Sequence, residues 1–117
     1  MEIFRVESSK ATVWKVLESM AQTSTCKGKH ACALVDKKGH IVSLGVSRHK
    51  THPKYGSKPP YRTMHAEGDA IFSCKKQGID PKDLRAYVLR RGRTYSKPCP
   101  CCMAMLESHG ISMVYHT

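Results

Sequence analysis

His65-Ala66-Glu67, followed a spacer later by Pro98-Cys99-Pro100-Cys101-Cys102, is the pair of stretches that decides how this chain folds. One imidazole and two thiolates fill three corners of a zinc tetrahedron and leave the fourth to water, an open arrangement that points to catalysis rather than scaffolding. Zinc lowers the pKa of bound water toward roughly 7, so a hydroxide becomes available at neutral pH. Glu67, a carboxylate that is not needed as a ligand, then serves to move protons. Residues two apart on a helix point in different directions, so at a helix start His65 reaches the metal while Glu67 addresses the water. Cys99 and Cys102, three apart, lie on one side of a helical turn, where the positive helix end favours their thiolate forms. The ligands therefore come from two helix starts. The competing reading is a structural zinc site with Cys101 or Cys74 as fourth ligand, or a redox pair at C-x-x-C. The order of the two stretches, the proline before the first cysteine and a strand-like segment between them favour the catalytic reading.

Working outward, the elements alternate as helix, hairpin, helix, strand, helix, strand. Val13, Val16, Leu17, Met20 and Ala21 recur at helical spacing after Ser8 and Ser9, predicting an amphipathic helix over 9–22 with Trp14 partly exposed beside the stripe. The apolar runs 31–35 and 41–46 flank the turn residues Asp36-Lys37-Lys38-Gly39 and predict a hairpin. Residues 47–62, rich in Pro, Lys, His and Gly, read as a long functional loop. A helix over 64–76 follows, with Ala66, Ala70, Ile71 and Cys74 on one face and Gly78 beyond its end. A strand over 84–89, a loop over 90–97, a helix over 99–109 stopped by Gly110 and a strand over 111–115 complete the chain. Strands alternating with helices indicate an α/β sheet in three layers, α/β/α, or a two-layer version of it.

The 117 residues suffice for one domain with one core. No signal pattern and no apolar run of membrane-spanning length occurs, so the expectation is a soluble protein of the reducing cytoplasm with free cysteines. The formal net charge of +11 implies an anionic partner, a nucleotide phosphate or a nucleic-acid backbone. No acid lies between Asp36 and Glu67, where Lys37, Lys38, Arg48, Lys50, Lys54, Lys58 and Arg62 are interleaved with His40, His49, His52, Tyr55 and Tyr61. A second acid-free run, 84–106, holds Arg85, Arg90, Arg91, Arg93 and Lys97. Both lead directly into the metal ligands. Cys26, His30 and Cys32 are read as ordinary residues, Cys32 as a small buried side chain in a strand, with no second zinc.

The quoted motifs, together with Gly110-Ile111-Ser112-Met113-Val114-Tyr115, resemble the cytidine and deoxycytidylate deaminase superfamily, which includes nucleic-acid editors of the APOBEC and tRNA adenosine deaminase types. The resemblance, over roughly residues 9–116, implies a compact cytidine-deaminase-like α/β/α sandwich with a mixed sheet of about four strands. It implies one Zn2+ per chain on His65, Cys99 and Cys102, with Glu67 as proton shuttle. It also implies that the Ala66 N–H meets the base carbonyl and that the carbonyl of Ser96 or Lys97 meets the leaving amine. Many relatives hold the sugar with an Asn after the second strand; here Ser47 stands in that region. The sequence ends at Thr117, ahead of the helix and strand with which the family continues, so a C-terminally truncated sheet and a homo-oligomer covering its edge are expected. The expected reaction is conversion of cytosine to uracil on a free nucleotide, with Lys50, His52, Arg91, Arg93 or Lys97 on the phosphate. The alternatives are a cytosine or adenine deaminase of single-stranded DNA or RNA, with Tyr55, Tyr61 or Tyr95 stacking on bases, and a non-catalytic zinc-stabilised nucleic-acid-binding module.

Overall fold

The computed structural model describes residues 1–6, 12–24, 29–47, 65–91 and 98–117. Its elements are β1 (Glu2–Arg5), α1 (Thr12–Ala21), β2 (His30–Val35), β3 (Ile41–Val46), α2 (Ala66–Lys76), β4 (Arg85–Arg90), α3 (Pro100–Ser108) and β5 (Met113–His116). The strands form one mixed sheet in the order β1-β5-β4-β2-β3. β1, β5 and β4 are parallel neighbours, and β2 runs antiparallel to both β4 and β3.

The hairpin forms where the sequence places it. Asp36 Oδ1 accepts the N–H groups of Lys38 and His40, and Gly39 takes the left-handed conformation (φ +86°) that closes the turn. Helix α1 ends as expected; the predicted start at 9 lies outside the described residues. Its buried line is Trp14, Leu17 and Ala21, spaced i, i+3, i+7. Trp14 is therefore buried, not partly exposed: its ring meets Tyr87 edge-on, centroids 5.5 Å apart at 71°.

Alternation along the strands builds two cores. Ala31, Ala33, Val35 and Leu89 face α1 on one side, while Cys32, Leu34, Ala86, Val88 and Val114 face Ile71 and Leu106 of α2 and α3 on the other. The layers are thus helix, sheet, helix, as expected. The sheet has five strands rather than about four. β1 carries no burial alternation, all four residues being exposed, so no periodic signal announces it. It is a strand because β5 offers an edge: Val6 N–H donates to the His116 carbonyl at 2.8 Å, and Phe4 stacks on Tyr115, which stacks on Tyr87. The edge of β5 is paired within the chain by β1.

One consequence of the strand directions positions the site. β3 and β4 both run antiparallel to β2, hence in the same sense as each other, and each leads to a helix on the same face. The N-termini of α2 and α3 therefore open at one end of the sheet, beyond the carboxyl ends of the strands, where open α/β sheets hold their ligands.

Candidate active site

His65 is the N-cap of α2 and Cys99 the N-cap of α3, both in extended conformation and neither spending its side chain on a capping bond. Pro100, fixed near helical φ with no N–H to satisfy, opens α3 and leaves Cys102 one turn in. The His65 Nδ1 lies 3.0 Å from Cys102 Sγ and 3.8 Å from Cys99 Sγ, and the three donor atoms all fall within 4.8 Å of one another. Zn–N and Zn–S bond lengths in a tetrahedron imply donor separations of about 3.5–3.8 Å, so this donor set fits zinc with small adjustments. Cys102 is buried and Cys99 exposed, which leaves the cluster open on one side.

Burial pushes the Cys102 thiol up, and the neighbouring Glu67 and Cys99 raise it further. A thiol so placed is costly to ionise unless a cation shares the site. Glu67 lies in the first turn of α2, 4% exposed, beside Cys102 but outside the donor set. Ala66, the first helical residue, is buried, and its N–H belongs to the uncapped opening turn.

Of the other residues singled out in the sequence, Arg91 is exposed directly after β4, its N–H donating to the Lys29 carbonyl at 2.9 Å. Ser47 is buried at the end of β3; its hydroxyl accepts the His30 N–H at 3.1 Å and pairs with the Ser24 hydroxyl at 2.7 Å, joining α1 to the hairpin. Lys50, His52, Arg93, Tyr95, Ser96 and Lys97 lie outside the described residues, as do Tyr55, Tyr61 and Cys26. Cys32 is fully buried in β2 and Cys101 is exposed on α3.

What the sequence reading passed over is the seat of α2. Its opening turn lies directly on β3: a Cβ on Gly45 would overlap Ala66 O and Ala70 N and come within 2.9 Å of Ala70 Cα. Ser43 Oγ donates to the Ala70 carbonyl at 2.9 Å, and the Val46 N–H donates to Asp69 Oδ2 at 3.0 Å. A glycine inside a strand is the available signal for such a close approach.

No curated protein matches the chain in sequence. Among solved structures, dCMP deaminase of the cyanophage S-TIM5 in apo form shares 24% identity, covering 87% of this chain and 76% of that one with a TM-score of 0.67. The same protein in complex with dCMP and dUMP gives a TM-score of 0.66 at 24% identity over 87% and 75% of the two chains. Cytidine deaminase of Burkholderia pseudomallei gives 0.60 at 18% identity, over 79% of this chain and 69% of that one. These likenesses establish the fold. The family model described as the cytidine and deoxycytidylate deaminase zinc-binding region matches residues 7–117, a span holding both helix starts and the His-Cys-Cys cluster between them. A chain matched over residues 7–117 in this way belongs to the cytidine and deoxycytidylate deaminase family.

Proposed function

We propose that this protein hydrolytically deaminates cytosine carried on a free cytidine or deoxycytidine nucleotide, with His65, Cys99 and Cys102 holding one zinc ion and Glu67 moving the protons. Water adds to the amino-bearing ring carbon, the carbon–nitrogen bond breaks and ammonia leaves, so the base ends as uracil. A zinc ion on the three donors supplies Lewis acidity and makes water a competent nucleophile near pH 7. Glu67 takes a proton from the adding water and delivers it to the ring nitrogen, then carries the remaining proton of the added hydroxyl to the departing amine as the carbonyl forms, a positioned general base and acid. The Ala66 N–H, at the positive end of α2, receives the base carbonyl. Lys50, His52, Arg91, Arg93 or Lys97 supplies the positive charge that holds the phosphate. In this reading the carbonyl of Ser96 or Lys97 meets the leaving amine, Tyr95 is among the substrate contacts, and Ser47 stands in for the Asn with which many relatives hold the sugar.

The observation that carries this reading is Glu67: a buried carboxylate beside Cys102 that is no part of the donor set. A purely structural zinc site has no use for it. The cyanophage dCMP deaminase, whose fold this chain shares, has been solved with dCMP and dUMP, and those two differ by the amine-to-oxygen exchange proposed here. The test is turnover of cytidine and deoxycytidine nucleosides, monophosphates and triphosphates by zinc-loaded protein, read by mass. Conversion to the uridine products, lost by about 100-fold or more in Glu67→Gln, is expected; no conversion of any monomer would sink the free-nucleotide reading.

The net charge of +11 favours a second reading, the same chemistry on single-stranded nucleic acid. It predicts oligonucleotide deamination and binding that weakens steeply with salt, since each neutralised phosphate adds about 0.7 to the slope for single strands. Salt-insensitive or absent binding would remove it.

A further inference from the structure

The seat of α2 on β3 includes a charged group that bonds across it. Asp69 is buried, 8% exposed, yet its carboxylate turns away from its own helix and accepts the Val46 N–H of β3. The ladder explains why that N–H needs a partner. Ser47 N–H bonds to His30 O, so in the alternating antiparallel pattern Gly45 also points at β2, and Val46, opposite Ala31, points the other way. β3 is an edge strand, so Val46 directs its N–H off the sheet, into the space under α2. Left unmet, a buried donor there would carry its full desolvation penalty.

Asp69 sits one turn after His65, to whose carbonyl its own N–H donates at 3.0 Å. The residues it secures are thus His65 and Glu67 on one side and the Val46-Ser47 end of β3 on the other. Gly45 lets the opening turn of α2 approach β3, and Ser43 holds Ala70. Asp69 adds a side-chain bond between that same opening turn and the end of β3.

We infer that Asp69 is a positioning residue: through its bond to the Val46 N–H it sets the distance between the helix start that carries His65 and Glu67 and the Val46-Ser47 end of β3. This inference rests on the deaminase reading for its kinetic part and on geometry alone for the rest.

The experiment compares Asp69→Ala and Asp69→Asn with the parent protein. Three quantities are measured: zinc affinity by chelator competition, kcat and KM on dCMP per zinc-loaded chain, and amide exchange at Val46. Alanine removes the acceptor, so zinc affinity and kcat should each fall by about 10- to 100-fold, the range seen when a residue supporting metal ligands is lost. Val46 exchange should quicken by about tenfold or more. Asparagine keeps an acceptor oxygen and should restore all three to within about threefold. If Asp69→Ala lowers the melting temperature but leaves zinc affinity and kcat per loaded chain unchanged, Asp69 is structural only and the inference falls. It falls equally if Val46 exchange is unaffected. A parent protein that turns over no nucleotide would refute the deaminase reading, while zinc affinity and Val46 exchange would still decide the role of Asp69.

Discussion

Gly45→Ala tests the link between packing and chemistry most directly. The added Cβ would overlap backbone atoms of Ala66 and Ala70 and lie 2.9 Å from Ala70 Cα. These are backbone contacts, so no rotamer change relieves them. Restoring an ordinary separation of about 3.5–4.0 Å requires the opening turn of α2 to retreat by more than about 1 Å. The same movement stretches the Ser43–Ala70 bond from 2.9 Å and the Val46–Asp69 bond from 3.0 Å beyond useful hydrogen-bond length. Overpacking of this kind costs about 1–3 kcal/mol, and two weakened bonds add about 1–3 kcal/mol more. A fall of about 2–6 kcal/mol in unfolding free energy is therefore expected, read by urea denaturation. Because the displaced turn carries Glu67, kcat on dCMP should drop about 100-fold in whatever protein remains folded and zinc-loaded. A Gly45→Ala variant within about 0.5 kcal/mol of the parent and equally active would refute the argument that this glycine sets the position of α2.

Two further outcomes follow from the cores. Burial pushes the Cys32 thiol well above its ordinary value of 9.0, with the Glu67 and Asp69 charges adding to the effect. The neutral thiol is favoured by folding, so its contribution is complete below pH 9.0 and is lost above it, as the unfolded thiol ionises, at up to about 1.4 kcal/mol per pH unit. Cys32→Ala should flatten the stability profile above pH 9.0, measured by urea midpoints, and an unchanged slope would count against the burial argument. Trp14→Ala removes the ring that covers Tyr87 and should cost about 3–5 kcal/mol; a loss under about 1 kcal/mol would show that α1 contributes little to the core.

The hairpin, three helices and the strands β4 and β5 were legible because each carries its own signal: an apolar period, an Asp-Lys-Lys-Gly turn, or a glycine just past a helix end. Gly78 and Gly110 both adopt positive φ beyond α2 and α3, as the cap chemistry requires. Trp14 was misplaced because the stripe was centred one position away, on Val13 and Val16, which are only half-buried. β1 could not be read at all. Four exposed residues with no alternation become a strand only when β5 presents a free edge and Tyr115 a ring for Phe4 to stack on.

For the site, the sequence alone named the chemistry: the identities and spacing of His65, Glu67, Cys99 and Cys102 specify a zinc-type donor set and a spare carboxylate before any coordinates exist. Those features are local, since a side chain's donor atoms and its place within one helical turn do not depend on distant residues. The tertiary structure decided that two helix starts 34 residues apart bring Cys99 Sγ to 3.8 Å from His65 Nδ1, because that depends on β3 and β4 running in the same sense. It also decided what Gly45, Ser43 and Asp69 do, because each acts only across the gap between a helix and an edge strand, and no periodicity along the chain encodes a contact between elements that meet only after folding.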